Sequence, residues 1–177
     1  MSEKISNFED VLPKLLKLQI FADFSPDNEN DVEIMKQVYL RLKLKTVKAG
    51  TIIIQEGDFG EEFYILEDGK VQILRNTLSG DVITLANLNA DMGIFFGETA
   101  LISKDTRTAT VKALSDCKLL VLTGEDFLAI GDEYPLFGFR VSLCIARRLA
   151  NNVRKTNGDM TTLYEALFSE IEDAGAR

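Results

Sequence analysis

The stretch EEFYILEDGKVQILRN, residues 61–76, sets two runs rich in apolar and aromatic residues on either side of Asp68-Gly69. An Asp-Gly pair tolerates the positive φ angle of a tight turn, so this stretch predicts a hairpin. Working outward, residues 44–123 contain about eight such short strands. Further turn signals stand at Ala49-Gly50 and Ser79-Gly80. This rhythm predicts a β-roll or jelly roll.

Helical patterns flank the predicted strands on both sides. Residues 1–43 repeat apolar positions at helical spacing, and Pro13 is expected to bend or restart the first helix. The helical period returns over 124–177, with a short helix capped by Thr123, a long amphipathic helix over 136–156 and a last acidic helix. The predicted fold is therefore mainly β: an eight-stranded β-roll over 44–123, an N-terminal helical segment and C-terminal helices, forming one domain overall.

Composition removes several classes of function. The chain has 177 residues, no histidine and a net charge of −8. Without histidine, Ser-His-Asp and Cys-His catalysis and most catalytic zinc sites are excluded, and the acidic balance argues against a nucleic-acid partner. Cys117 and Cys144 are expected to be reduced and buried. With no signal peptide or membrane-spanning stretch in view, we expect a cytoplasmic protein that is not an enzyme.

One segment, FFGETALISKDTRTATV (95–111), places Glu98 and Arg107 among residues that otherwise resemble core and turn. A simple interpretation is a partly exposed ion pair of little energetic value. An alternative is a binding site: Gly97 allows close approach to the backbone ahead of a helix-prone run, 98–101, whose first turn suits an anion. The fork of Arg107 suits a phosphate, Glu98 accepts from hydroxyls, and Thr108 adds a donor. Phosphate and sugar together indicate a nucleotide.

The chain resembles the cyclic nucleotide-binding domain family over roughly residues 18–155. The resemblance rests on AGTIIIQEGDFGEEFYILEDGKVQIL (49–74), FGETALIS (96–103) and RTATV (107–111), in that order. It implies that Glu98 accepts a hydrogen bond from the ribose 2′-hydroxyl and that Arg107 pairs with the cyclic phosphate. It also implies a cradle of backbone groups from Gly97, Glu98, Thr99, Ala100, Thr108 and Ala109, with cAMP or cGMP as ligand and no metal or other cofactor.

Two features qualify the resemblance. The segment NADMGIFFGE (89–98) lacks the proline that family members usually carry before the helix, and it has extra residues around Met92 to Phe95. We therefore expect a lead-in loop of different shape. A threonine directly after the arginine, as at Thr108, occurs in cGMP-preferring relatives and also in cAMP binders, so the resemblance leaves the identity of the base open. Arg107 is expected to lie outside the core, so that its removal changes stability little.

The resemblance further implies a stand-alone regulatory module that signals by movement of the helix over 136–156. The apolar residues near its start either dock on the roll or meet a second copy or an effector protein; they are Leu136, Phe137, Phe139, Val141, Leu143 and Ile145. An alternative is a degenerate domain that binds only protein partners. A transcription factor would need a further helix-turn-helix, and a metal cupin would need histidine ligands. No nucleic-acid or membrane partner is expected.

Overall fold

The computed structural model describes residues 5–103 and 106–175, in which two four-stranded antiparallel sheets are flanked by helices. The strands are β1 (Lys43–Val47), β2 (Ile52–Ile54), β3 (Glu62–Asp68), β4 (Lys70–Asn76), β5 (Val82–Asn89), β6 (Phe95–Phe96), β7 (Thr110–Ala113) and β8 (Cys117–Thr123). The helices are α1 (Phe8–Leu16), α2 (Glu29–Arg41), α3 (Gly124–Glu133) and α4 (Pro135–Gly175). Short 3-10 helices span Gln19–Phe21, Ala90–Met92 and Glu98–Leu101. The prediction of an eight-stranded roll with flanking helices is confirmed.

The two sheets enclose an apolar core. Their strand orders are β1-β8-β3-β6 and β2-β7-β4-β5. Leu119 in the first sheet and Val71 in the second are fully buried and belong to the same cluster of core residues. β4 and β5 form a long hairpin closed by a bond from the Thr77 N–H to the Asp81 carbonyl (2.8 Å), which confirms the predicted turn at Ser79-Gly80.

The hairpin predicted at Asp68-Gly69 is wrong, although both of its strands exist. β3 pairs with β6 and β8, whereas β4 pairs with β5 and β7, so the chain passes from one sheet to the other at Gly69. Gly69 has φ +100°, and a Cβ there would lie 2.5 Å from the Asp116 carbonyl oxygen and 2.7 Å from Cys117 Sγ. Glycine is needed here for close packing of two chain segments as well as for its backbone angle.

The first turns of α4 pack against the N-terminal segment. Phe137 is fully buried, and its ring lies 6.5 Å from that of Phe21, 6.1 Å from that of Phe24 and 5.4 Å from that of Phe127. Phe137 therefore packs within its own chain, which is the first of the two roles expected for this apolar face. The aromatic rings around it belong to the N-terminal segment and α3, however, and not to the strands of the roll. Leu136 and Phe139 remain exposed.

After α3, the chain forms a single helix where two were predicted. α4 runs without interruption from Pro135 to Gly175 and passes through Gly158, a residue that costs a helix interior about 1 kcal/mol relative to alanine. The contacts within the protein divide the chain into two units, one up to Ser142 and one from Leu143 onward. Within the described residues, no helix, α4 included, has the length and apolarity needed to cross a membrane.

Neither Cys117 nor Cys144 forms a disulfide. Cys117 is buried, as expected, and its thiol donates to the carbonyl oxygens of Lys70 and Ser115 at 3.3 Å. Cys144 is only partly buried. The expectation of reduced thiols fits both residues, and the expectation of burial fits Cys117 alone.

Candidate functional site

Arg107 lies in the loop that leads into β7, and its side chain is turned into the protein. Nη2 donates to the Glu62 carbonyl oxygen at 2.7 Å, and Nη1 donates to the Gly97 carbonyl oxygen at 3.4 Å. The residue is only 8% exposed. The expectation that Arg107 stands outside the core is therefore wrong: the loop buries the guanidinium by giving it backbone oxygens as acceptors.

The backbone of Arg107 is fixed as firmly as its side chain. Its N–H donates to the Asp58 carbonyl at 2.8 Å, and its own carbonyl accepts from the Gly57 N–H at 2.9 Å. Phe59 and Thr106 form an isolated antiparallel bridge beside these bonds. The loop between β2 and β3 and the loop before β7 therefore hold each other in place.

Two glycines make room for the guanidinium. A Cβ on Gly60 would lie 2.4 Å from Nε, 2.6 Å from Nη2 and 2.8 Å from Cζ of Arg107. A Cβ on Gly97 would lie 2.9 Å from Nη1 and 2.9 Å from the Glu62 carbonyl oxygen, and Gly97 also has φ +76°. Any larger residue at either position would displace the arginine or the backbone beside it.

The short helix after Gly97, Glu98–Leu101, has the bounds expected from the sequence and is called the cassette helix below. It lies between β6 and β7, and Gly97 caps its N-terminus. Glu98 is its half-buried first residue, while Ala100 and Leu101 are buried. The Ala100 N–H donates to the Gly97 carbonyl at 3.1 Å, so the carbonyl that accepts from Arg107 also closes the turn.

The fold brings the predicted site residues to one place. Gly97 and Arg107 are in direct contact. Glu98 and the half-buried Thr99 follow Gly97 on the cassette helix, while the exposed Thr108 and the half-buried Ala109 continue from Arg107 into β7. The predicted candidates therefore lie on two chain segments that meet at the guanidinium.

Sequence reasoning missed four groups that support the site. Glu62 contributes its carbonyl oxygen, and backbone acceptors leave no mark in a sequence. The buried Thr110 hydroxyl accepts from the Glu56 N–H at 3.0 Å and from the Gln55 amide at 3.2 Å, which fastens the loop after β2. Gly60 is visible in the sequence, but only the structure shows that it is packed against Arg107.

The fourth missed group is Tyr64, which is 3% exposed. Its hydroxyl donates to the Glu62 carboxylate, and its ring stacks on Phe96 with centroids 5.4 Å apart. Burial raises the pKa of Tyr64, the hydrogen bond and the negative charge of Glu62 raise it further, and the positive charge of Arg107 acts in the opposite sense. Lys45 Nζ lies 3.9 Å from the Glu62 carboxylate. Glu62 thus links the guanidinium, through its carbonyl, to a tyrosine and a lysine.

An apolar surface lies on β5, two strands away from β7 in the second sheet. Thr110, at the start of β7, pairs with Leu74 of β4, which pairs with Thr84 of β5. Beside Thr84, the apolar side chains of Ile83 and Leu85 are 45% and 52% exposed. Neighbouring strands lie about 4.8 Å apart, so β5 is about 10 Å from β7.

The profile of the cyclic nucleotide-binding domain matches residues 44–134, more than half of the chain. The chain belongs to the cyclic nucleotide-binding domain family. The match covers all of β2–β8, the cassette helix and all but the first residue of β1. The resemblance stated from FGETALIS and RTATV is confirmed at the level of the family.

Several members of this family are similar to the chain. The cyclic AMP receptor protein of Thermus thermophilus is 38% identical over 100 residues, which cover 56% of this chain and 45% of that protein. The cAMP-dependent protein kinase regulatory subunit of Schizosaccharomyces pombe is 44% identical over 78 residues, 43% of this chain and 18% of that one. The co-crystal structure of the regulatory domain of Toxoplasma gondii PKA with cAMP matches with TM-score 0.62 and 27% identity, over 73% of this chain and 46% of that chain. The chain thus spans less than half the length of each of these relatives.

Within this cyclic nucleotide-binding domain, the unusual lead-in segment has a defined shape. Residues Ala90–Met92 form a 3-10 helix that ends at Gly93, which has φ +64°. The chain then returns to the first sheet as β6, where Phe96 pairs with Tyr64. Gly97 and the cassette helix follow directly after β6 and lie beside Arg107.

Proposed function

We propose that this domain binds a cyclic nucleotide, with cAMP as the preferred ligand. The observation that carries the proposal is the setting of Arg107, whose guanidinium is held by two carbonyl oxygens and packed against Gly60 and Gly97. A guanidinium has five N–H donors, so two carbonyl bonds do not exhaust it. A cation already oriented by the backbone loses little entropy when it receives an anion.

The cyclic phosphate is proposed to lie between Arg107 and the start of the cassette helix. Arginine pairs with phosphate through two parallel bonds, and a helix start favours negative charge. Gly97 allows the ligand to approach the backbone, and the N–H groups of the segment from Glu98 to Ala100 and of Thr108 and Ala109 complete the cradle in this proposal. On binding, the Ala100 N–H would either leave the Gly97 carbonyl and donate to the phosphate, or donate to both.

The sugar and base follow from the position of the phosphate. Glu98 is proposed to accept a hydrogen bond from the ribose 2′-hydroxyl. A carboxylate repels a phosphate, which is also negatively charged, but it accepts readily from a hydroxyl group. The base would then extend across β4 toward the exposed Ile83 and Leu85 of β5. The preference for cAMP rests on the relatives, since the names of the Thermus and yeast proteins both specify cAMP.

The domain is proposed to act as a regulatory module, without catalysis, that signals through α4. The first turns of α4 are bound to the N-terminal segment by the buried Phe137 and by a bond from Arg140 Nη1 to Asp31 Oδ1 at 2.7 Å. Occupation of the site would shift the cassette helix, which lies against α3: a Cβ on Gly124 would meet the Ala100 carbonyl at 2.9 Å. The shift would reach α4 through the ring of Phe127 on α3, which packs on that of Phe137.

Calorimetric titration of the full chain with cAMP, cGMP and 5′-AMP tests the proposal. We expect saturable binding of cAMP with one site per chain, weaker binding of cGMP, and much weaker binding of 5′-AMP, because its phosphate is not closed into a ring. Absence of heat with both cyclic nucleotides would overturn the proposal and favour a domain that binds only protein partners. Equal affinity for cAMP and 5′-AMP would overturn the role assigned to the cyclic phosphate.

A further inference from the structure

A cavity of about 460 Å³ lies between the end of α1, strand β3 and the 3-10 helix Ala90–Met92. Small-molecule sites in proteins typically enclose about 300–1,000 Å³, and most of their lining is apolar, with a few polar groups that orient the ligand. Among the described residues that line this cavity, none belongs to the cassette helix or to residues 107–109. The cavity is therefore separate from the proposed cyclic nucleotide site.

The floor of the cavity is formed by large aliphatic side chains that are almost completely buried. They come from the N-terminal segment, from β3 and from β8, and each is at most 5% exposed: Leu15, Leu18, Ile65, Leu66 and Leu120. The Leu66 N–H donates to the Ile94 carbonyl at 3.0 Å, so β3 is bonded to the lead-in segment that supplies another wall. A floor of this kind takes up an apolar group of a ligand, because the contact removes apolar surface from water.

The rim of the cavity carries two cations and two anions among the residues that the structure describes. Lys14 Nζ lies 3.1 Å from Glu67 Oε1, and the Glu67 side chain is only 12% exposed. Lys17, directly after α1, and Asp91, on the 3-10 helix, are both exposed. Their two walls meet at Gly93, where a Cβ would lie 3.6 Å from the Lys17 carbonyl oxygen. Charges of both signs thus stand at the mouth of an apolar cavity.

We propose that this cavity binds a free α-amino acid with a large apolar side chain, such as leucine or phenylalanine. The apolar side chain of the ligand would lie on the floor, and its carboxylate would pair with the ammonium group of Lys17. The ammonium group of the ligand would donate to Asp91 and Glu67. Lys14 bonds to one oxygen of Glu67, and a carboxylate has about four acceptor positions on its two oxygens, so Glu67 can accept from a further donor.

The charges at the rim favour this ligand over simpler apolar molecules. An uncharged hydrocarbon would displace water from the Glu67 carboxylate without replacing its hydrogen bonds, which is costly at a nearly buried charge. An apolar carboxylic acid would bring a third anion to the rim beside Glu67 and Asp91. An apolar amine would bring a third cation beside Lys14 and Lys17. A zwitterion supplies one charge for each sign, and its apolar side chain still reaches the floor.

Met92 lines the cavity from the lead-in segment and is 63% exposed. Its unbranched thioether side chain adapts to the shape of what it contacts, so it can pack over a bound apolar group. Met92 belongs to the part of the sequence that departs from the usual pattern of the family. We therefore expect the site in this chain and not in the family at large. The proposal does not rest on nucleotide binding and stands or falls separately.

Calorimetric titration of the full chain with L-leucine and with L-phenylalanine tests the proposal. We expect saturable binding of at least one of them, with one site per chain. Three further probes each lack one feature of the ligand: N-acetyl-L-leucine lacks the ammonium group, L-leucinamide lacks the carboxylate, and L-serine lacks the apolar side chain. Each should bind at least about tenfold more weakly, because a charged hydrogen bond or the apolar contact is lost. Absence of saturable binding of both apolar amino acids, or equal binding of any of the three probes, would overturn the proposal.

Variants at the rim test the location of the site. Lys17→Gln and Asp91→Asn each remove one charged partner of the amino acid, and each should weaken its binding at least about tenfold. Both residues are exposed, so the variants should fold, which thermal unfolding checks. Lys36→Gln on α2 and Asp132→Asn on α3 remove the same charges at exposed positions that do not line the cavity, and they should bind like the unaltered chain. Equal affinity of all four variants for the amino acid would assign it to another place and contradict the proposal.

Discussion

Arg107 Nη2 and the carbonyl oxygen of Glu62 lie 2.7 Å apart and form a hydrogen bond that ties the loop before β7 to the first residue of β3. Through this bond, the charged group proposed to hold the phosphate is positioned by the backbone of the roll. The same guanidinium rests against Gly60 and Gly97, so its position depends on the absence of two side chains. The backbone of the roll and two glycines thus fix the position of the guanidinium.

Replacing Gly60 by alanine tests this arrangement. The new Cβ would lie 2.4 Å from Arg107 Nε, too close for any real contact, so the guanidinium must move. We expect cAMP affinity, measured by calorimetry, to fall about tenfold or more. Gly158→Ala is the matched control, because nothing lies within 4 Å of a Cβ there, and it should bind like the unaltered chain. Unchanged affinity of Gly60→Ala would show that the glycine contact does not position the arginine.

The assignment of Glu98 to the ribose is tested by changing both partners. Loss of one hydrogen bond to a charged group costs about 1.5–3 kcal/mol, so 2′-deoxy-cAMP should bind the unaltered chain at least about tenfold more weakly than cAMP. Glu98→Ala should bind cAMP and 2′-deoxy-cAMP alike, because the acceptor is already gone. Glu125→Ala, at an exposed acid on α3, should keep the preference for cAMP. A preference that persists in Glu98→Ala would assign the hydroxyl to another residue.

The bond between Asp31 and Arg140 is expected to anchor α4. Asp31 is 3% exposed and accepts from Arg140 Nη1 at 2.7 Å and from the Ser25 N–H at 3.0 Å. Arg140→Met leaves this buried carboxylate without its cation, and the free energy of unfolding should fall by about 1–3 kcal/mol in denaturant titrations. Lys36→Met removes an exposed cation from α2 and should change it little. Equal stability of the two variants would mean that this bond does not hold the helix.

The buried phenol of Tyr64 predicts a loss of stability at high pH. Its pKa is raised above the usual value of about 10, chiefly by burial and then by Glu62. Since the folded state holds this proton more tightly than the unfolded state, the contribution is fully present below about pH 10 and is lost as pH rises toward the folded pKa. Thermal unfolding should therefore shift to lower temperature above about pH 10, and Tyr64→Phe should weaken that dependence. Tyr164→Phe, at an exposed site, should leave it in place; identical profiles for both variants would refute the role of Tyr64.

Much of this architecture could be predicted because its signals are local. Alternating apolar residues located the strands, and Thr123 marks the start of α3, where its hydroxyl accepts from the Asp126 N–H at 3.1 Å. Gly97 and the run after it placed the cassette helix correctly. The family could be named because both ends of that segment are present in order, and the profile match confirms it.

What could not be predicted depends on partners distant in sequence. Asp68-Gly69 signals a tight change of direction, but whether β4 folds back on β3 or crosses to the other sheet is decided by β8 and β7, which already occupy the neighbouring positions. The break in the helix expected near Asn157 and Gly158 rests on the low helix propensity of glycine, which costs about 1 kcal/mol. The other residues of a long helix can compensate for a cost of this size. Burial of Arg107 depends on the carbonyl oxygens of Glu62 and Gly97, which any residue type would supply.

The most direct test of the account is the cAMP dissociation constant of Arg107→Ala compared with that of the unaltered chain. Because Arg107 is buried, the variant should also unfold at lower temperature, so binding is measured by calorimetry where thermal unfolding shows that the roll is intact. Removing one member of a desolvated charge pair costs about 2–5 kcal/mol, so affinity should fall at least about thirtyfold. A folded Arg107→Ala domain that binds cAMP within about twofold of the unaltered chain would contradict the claim that this guanidinium holds the cyclic phosphate.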